Sequence, residues 1–395
     1  MRVPAWKPLL AAGALALGQA VVAVGPAVAT TGPITITADM PAAVPTGHNW
    51  SFNDFFPRGL RVAQGATIQF AIEGFHTATL LPAGMSARQD MMANGALRAD
   101  ADDTARNPGG QTHTQLNIPG LLPAPMGCGY APAPACTFDG SSVVSASPLG
   151  PQAPFAVTIT AAPGTYVFHC RVHPGMTGQL AVLPSGSRGT QSDEVSAKVQ
   201  AQVQADVHGG YAAEEAFEHA GVTTNPDGTR TWWLHAGASG AGGRTTVLEF
   251  LPRHITIKPG DKVVWKATQP DEPHTVTFPT DLFTDQVAMC ETAAGDVPAT
   301  PLHLPPQSPA DFTCNPGPPS EIEFAPGNGV HHITSPTTIS DSGLLASNRE
   351  VGAFGMSSSA GLPSWSVSFA GAATGSYTYI CQIHGAAMGG SISVS

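Results

Sequence analysis

Charge is scarce in this chain. Only 11% of its 395 residues are Asp, Glu, Lys or Arg, and the basic ones are rarer still, 17 against 28 acidic, for a net charge of -11. That balance excludes a nucleic-acid partner, because neutralising phosphates takes a basic surface. Hydrophobic residues, at 42%, are enough to fill a core, which excludes wholesale disorder. What the chain has in excess is Gly (44) and Pro (37), about a fifth of all residues against a usual share of roughly 12%. The length allows two or three domains. Many turns with few charges point to β-sandwich or barrel domains carrying long loops.

Residues 1–29 read as a secretory signal peptide. Arg2 and Lys7 supply the positive start, residues 9–24 are mostly apolar but broken by Gly13, Gly18 and Gln19, and Ala27-Val28-Ala29 is a small-x-small cleavage site. The stretch is short and ends in a cleavage signal, so cleavage is expected rather than a membrane anchor. No Cys follows the site, and the strand-like 391–395 leaves no room for a C-terminal anchor. Cleavage would leave 15 basic against 28 acidic residues, a net charge of -13. The expectation is an exported protein, extracellular or in the periplasm or cell envelope, with no stable membrane anchor.

Six cysteines suit that oxidising destination, but they do not fall into three obvious pairs. Cys128 and Cys136 flank a short Pro-rich loop, and Cys290 and Cys314 bracket another Pro-containing one; both pairs are expected to be disulfides. Cys170 and Cys381 are left over, each among His and Met residues. An unpaired Cys in a secreted chain needs a reason.

An internal repeat supplies it. Phe55-Phe56-Pro57-Arg58 recurs loosely as Phe250-Leu251-Pro252-Arg253, each followed by a Gly turn (Gly65, Gly260) and an apolar strand, Thr67–Ile72 or Lys262–Lys266. A His comes next, His76 or His274, then a long insert carrying two Cys, then Tyr166-Val167-Phe168-His169-Cys170 or Tyr377-Thr378-Tyr379-Ile380-Cys381. Alternation along these closing strands puts Tyr166, Phe168 and Cys170 on one face, and Tyr377, Tyr379 and Cys381 on one face. Such large aromatics mark the core side, so each thiol ends a buried row and points inward. The domains are expected at 33–184 and 245–395. Between them, 185–244 reads as a spacer with short helices: Ser192 as a cap, Asp193 and Glu194 in the first turn, Val195, Val199, Val203 and Val207 on one face, a stop at Gly209-Gly210, and a second helix over 211–219.

The first copy ends Cys170-Arg171-Val172-His173-Pro174-Gly175-Met176 and the second Cys381-Gln382-Ile383-His384-Gly385-Ala386-Ala387-Met388. With the upstream His, each domain holds two imidazoles, one thiolate and one thioether. Soft sulfur donors combined with imidazoles select copper, and two His, one Cys and a long axial Met make the blue-copper electron-transfer site. Zinc could occupy such a pocket, but a thioether gives little reason to expect it. Metal binding would also keep these two thiols from oxidation.

On these motifs the chain resembles the cupredoxin family of type-1 blue copper proteins. The first loop spacing looks like that of amicyanin; the second is one residue longer, yet shorter than in plastocyanin and pseudoazurin. The resemblance covers most of both repeats, apart from their inserts and the spacer. It implies a mainly β protein of two tandem Greek-key β-sandwiches, each with copper at one end. Its ligands would be His76, Cys170, His173 and Met176, then His274, Cys381, His384 and Met388. It also implies that His173 and His384 lie near the surface as electron ports. The 94 and 107 residues from upstream His to Cys exceed those of small cupredoxins, and the first insert holds Met85, Met91, Met92, Met126 and His113. Long loops of this kind are usually functional covers or flexible excursions.

Two such domains also bring to mind two-domain multicopper oxidases and copper nitrite reductases, which need further His ligands for a centre where substrate reacts. Only His169 resembles one; its counterpart is Ile380, no His-x-His pair accompanies either upstream ligand, and His331-His332 are adjacent. The expectation is a one-electron carrier serving a redox protein donor and acceptor. The competing readings are such an enzyme, or copper binding and delivery without redox turnover.

Overall fold

The computed structural model describes residues 33–99, 114–151, 153–280 and 329–395, with Gly327 and the strand segments 289–292, 295–298, 300–301, 312–313 and 322–324. The expected leader, His113 and Cys314 lie outside the described residues, as does the side chain of Cys290, and so does the expected Cys290–Cys314 pair.

Two β-sandwiches follow one another. In the first, one sheet runs in the order Phe55–Phe56, Ile34–Ala38, Thr67–Ile72, Phe155–Ile159, Cys136–Phe138. The facing sheet runs Val144–Ala146, Ala78–Leu80, Gly164–His169, Thr177–Leu183, Gly59–Ala63. Alternation decides which side chains enter: Phe155, Val157 and Ile159 are buried while Ala156 and Thr158 stand half out. Phe168 meets Phe55 and Phe70 edge-on, at 5.0 and 5.6 Å between ring centroids, in the middle of this core.

The second sandwich repeats the plan. One sheet runs Trp50–Phe52, Thr245–Leu251, Arg230–Ser239, Lys262–Lys266, Ser364–Ser368, and the other His254–Ile257, Gly385–Val394, Gly375–Cys381, Thr277–Phe278, Ser340–Asp341. Trp265 anchors its core against Phe278, Trp365 and Tyr379. Burying such a ring is worth on the order of 2–3 kcal/mol. The repeat extends to details. Tyr166 and Tyr377 donate from their hydroxyls to the carbonyls of Ala162 and Ala373, four residues upstream, at 3.0 and 2.7 Å. The Phe56-Pro57 and Leu251-Pro252 bonds are both cis.

The spacer differs from expectation. Ser192–Ala216 is one helix, with Gln191 rather than Ser192 at the N-cap position and no side-chain cap bond, not two helices. Gly209 and Gly210 lie within it because they are contact points: a Cβ on Gly210 would come 2.7 Å from the Trp50 ring, and Gly209 lies against Gly240. Val199, Val203 and Val207 pack on the cluster of Trp50, Phe52, Phe56, Val247 and Leu251 that joins the two halves. Arg230–Ser239, expected in the spacer, is an inner strand of the second sandwich, paired in parallel with Lys262–Lys266.

The halves also share strands. Trp50–Phe52, from the first, pairs with Thr245–Leu251 of the second. The inserts build a sheet of their own, in which Leu97–Ala99 and Thr114–Leu116 continue into Ile322–Phe324, Met289–Thr292 and Gly295–Pro298. Cys128 and Cys136 are disulfide-bonded, whereas Cys170 and Cys381 are free and buried.

Candidate metal centres

Each closing strand delivers its Cys to the end of a sandwich, where the upstream His arrives from the neighbouring strand. In the first domain, His76 lies two residues before the strand Ala78–Leu80, and Cys170 directly follows Gly164–His169. A turn with Gly175 at φ 97° then brings Met176 back, its carbonyl accepting from Cys170 N–H at 3.0 Å. In the second, Cys381 ends Gly375–Cys381, and Gly385 at φ 70° starts the strand that carries Met388. The residue after each upstream His clamps the residue after each Cys. Arg171 N–H donates to Thr77 Oγ1 at 2.7 Å, and Gln382 N–H to Thr275 Oγ1 at 2.8 Å.

The expected groups come together in both domains. Cys170 Sγ stands 3.9 Å from His76 Nδ1 and 3.6 Å from His173 Nδ1. Cys381 Sγ stands 3.9 Å from His274 Nδ1 and 3.4 Å from His384 Nδ1, and those two nitrogens are 3.1 Å apart. Met176 and Met388 are buried in the same core clusters as the thiols. An ion bonded at about 2.0 Å to each nitrogen and about 2.3 Å to sulfur in a trigonal plane would set N–S separations near 3.7 Å. The observed separations bracket that value. Three lone-pair atoms converging in a largely buried pocket therefore fit one soft metal ion in each domain.

The electrostatics agree. Burial pushes the Cys170 thiol up, but His173 and His76 beside it outweigh burial and hold it well below the ordinary thiol value. Cys381 is lowered in the same way against burial, by His384 and His274. Backbone N–H groups also point at the sulfurs: Thr77 and Val172 at 3.4 and 3.3 Å, and Thr275 at 3.4 Å. Such contacts to a ligating sulfur tune the metal.

The two centres are not copies. In the first, Asp39 at φ 65° sets its carboxylate 3.6 Å from His76 Nε2. Despite burial and the nearby His173, Asp39 and Cys170 raise the His76 pKa. At the corresponding bulge of the second domain stands Gly237, φ 75°, and His274 Nε2 is buried without a hydrogen-bond partner among the described residues. There burial wins, and the His274 pKa falls.

His173 and His384 differ from the surface ports that the resemblance implies. Both are turned inward, toward each other, with Glu272 between them: its Oε2 is 2.8 Å from His173 Nε2, and its Oε1 2.9 Å from His384 Nε2. The first contact is an ion pair outside good hydrogen-bond alignment; the second is a hydrogen bond. Burial depresses the His384 pKa, but Cys381 and Glu272 raise it to about 10. Glu272 is itself held well below the carboxylate range by both histidines, against burial.

The other candidates lie elsewhere. His169 is buried, and its Nε2 sits 2.8 Å from Asp90 Oδ2. Asp90 also accepts from Arg171 Nε at 2.6 Å and Nη2 at 2.8 Å. His331 is exposed with Nδ1 2.9 Å from the Ser366 carbonyl oxygen, and His332 is exposed too. Met92 and Met126 are exposed while Met91 is buried, so the Met residues of the first insert do not share one surface. Sequence reasoning missed Glu272 and Asp39. Glu272 stands two residues before His274, which was the available signal, but its second contact is in the other domain.

No family model and no curated protein matches the chain. The solved structures that it matches include a mutant plastocyanin of fern, 16% identical over 38% of this chain and 99% of that one, TM-score 0.18. An auracyanin from Roseiflexus castenholzii is 22% identical over 40% and 99%, TM-score 0.21. A blue copper oxidase from Nitrosomonas europaea is 11% identical over 92% and 85%, TM-score 0.16. Scores this low leave the choice of metal to the donor set. The chain folds as two tandem β-sandwiches, and the solved structures that it is similar to are cupredoxins and multi-domain copper enzymes.

Proposed function

We propose that this is an exported two-centre copper protein that carries single electrons to and from a redox protein partner. Each centre is a mononuclear type-1 copper, held by His76, Cys170, His173 and Met176 in one domain and His274, Cys381, His384 and Met388 in the other. The observation that carries the reading is the convergence of one lowered-pKa thiol and two imidazole Nδ1 atoms in each domain. Copper, when bound, supplies a Cu(I)/Cu(II) couple; the chain supplies a fixed cage. Thr77 and Thr275 clamp the strand ends so that the donors keep their places in both oxidation states, and the buried core excludes water.

His169, the one residue resembling an extra-centre ligand, belongs to neither His–Cys–His group among the described residues, which supports the carrier reading; its Nε2 is 2.8 Å from Asp90 Oδ2, beside Arg171. No described helix is long and apolar enough to cross a membrane.

The test is an optical spectrum with a copper count. Purified protein should bind two coppers and show strong thiolate-to-copper absorption. Cys170→Ser and Cys381→Ser should each remove one copper's colour, and the double variant all of it. The single variants should differ from each other in spectrum and potential, because Asp39 backs one upstream His and Gly237 the other. Full colour in the double variant would refute the assignment, as would a third copper lost on His169→Ala.

A further inference from the structure

Glu272 contacts a histidine of each centre. It belongs to the second domain, two residues before His274, yet it reaches His173 of the first. The three side chains are almost closed off from solvent, His173 at 5% exposure, His384 at 10% and Glu272 at 12%. The segment is pinned from behind: Gln269 Nε2 donates to the Ala236 carbonyl at 2.6 Å and to that of Glu272 at 3.3 Å.

The chemistry of a ligand imidazole gives this contact its meaning. A neutral ring that turns Nδ1 to a metal carries its proton on Nε2, and that proton needs an acceptor, which fixes both tautomer and ring orientation. A carboxylate has two acceptor oxygens. Here one oxygen faces each ring, hydrogen-bonded to His384 Nε2 and in ion-pair contact with His173 Nε2, so a single side chain touches both.

We infer that Glu272 is a positioning residue shared by the two centres, joining them into one coupled pair in which the first site is completed by a residue of the second domain. This rests on the copper reading above. Withdrawal of electron density from one ring strengthens its hold on the shared carboxylate and weakens the grip on the other ring. Occupancy of one site is thereby felt at the other.

The experiment uses the full chain carrying Glu272→Gln or Glu272→Ala, alone and with Cys170→Ser or Cys381→Ser. Copper(I) affinity is read by chelator competition, along with the spectrum of each site. Loss of an outer acceptor of this kind weakens metal binding about 10–100-fold. E272A should weaken both sites by that factor, and it should do so at the first site even when Cys381→Ser has disabled the second. A carboxamide has only one acceptor oxygen, so E272Q should spare one site and weaken the other. In metal-free protein, nitrogen NMR should find slowly exchanging Nε2 protons on His173 and His384, and these should exchange about tenfold faster or more in E272A. Affinities within threefold of the parent at both sites in both variants, or unchanged ring-proton exchange, would overturn the inference. If the parent chain bound no copper, the functional reading would fall while the ring-proton measurement still decided the role of Glu272.

Discussion

Gly237→Ala tests how the second centre is built, from a position outside its ligand loop. Gly237 sits at the bulge of Arg230–Ser239 with φ 75°, and an added Cβ would overlap His274 Nε2 and come 2.6 Å from Gln269 Nε2. Two costs follow. A side chain in the left-handed region costs about 1–2 kcal/mol, and forcing an atom into a packed site costs about 1–3 kcal/mol. The total, about 2–5 kcal/mol, corresponds to a fall of about 5–15 °C in Tm for a domain of this size. Gly228→Ala separates the two, since Gly228 has φ 86° and nothing within 4 Å of its virtual Cβ. It should lose only the backbone part and leave the metal untouched. Both variants would be made in the Cys170→Ser background, so that only the second site reports, with calorimetry of metal-free protein and the spectrum of the loaded form. Gly237→Ala should lose more stability than Gly228→Ala and also shift or abolish the second centre's absorption, because His274 must move. The first domain shows the alternative: Asp39 is accommodated there, with its carboxylate 3.6 Å from the His76 ring. If Gly237→Ala behaved like Gly228→Ala and kept the parent spectrum, the His274 ring would be free to step back in the same way, and the steric account would be refuted.

Two further outcomes are expected. Asp90→Asn leaves buried Arg171 without its counter-charge, which should cost about 3–5 kcal/mol; urea unfolding within 1 kcal/mol of the parent would count against that network. Glu350 lies 1% exposed on Asn348–Ala353, with neither carboxylate oxygen hydrogen-bonded among the described residues. Burial, reinforced by Glu272 and Asp271, raises its pKa well above the ordinary carboxyl value. The folded state thus holds a proton that the unfolded state releases, and stability declines as pH rises above about 4.5. Glu350→Gln should flatten that decline in unfolding curves of metal-free protein between pH 5 and 8, and equal slopes in the two proteins would rule the effect out.

The strands around the His–Cys–His groups were legible because their physics is local. Thr67–Ile72, Lys262–Lys266 and Gly375–Cys381 fall where alternation and Gly turns put them, and Cys170 and Cys381 end buried aromatic rows as the period of two requires. The disulfide between Cys128 and Cys136 closes as its spacing suggests. What stayed hidden depends on partners far along the chain. Gly209-Gly210 has the composition of a helix stop, and only the Trp50 ring, from a strand lent by the first half, explains why the helix continues past it. Arg230–Ser239 has no ligand to flag it and gains its place through pairing with Thr245–Leu251 and Lys262–Lys266. Glu272 reads as one more surface acid until the two domains meet, and the inward turn of His173 and His384 follows from the same meeting.

The shared strands impose an order of events on the newborn chain. All strands of the first sandwich have been made once Thr177–Leu183 is complete, yet Trp50–Phe52 must await Thr245–Leu251, and Thr114–Leu116 must await Ile322–Phe324. Ile322 comes roughly 140 residues after Leu183, a delay of about 7–28 s at a synthesis rate of about 5–20 residues per second. Through that interval the edge of Thr114–Leu116 is open to pairing with another molecule, and for roughly its first 90 residues His173 has no Glu272 to turn toward. The centre that is written first in the chain is therefore finished only after the second domain has arrived.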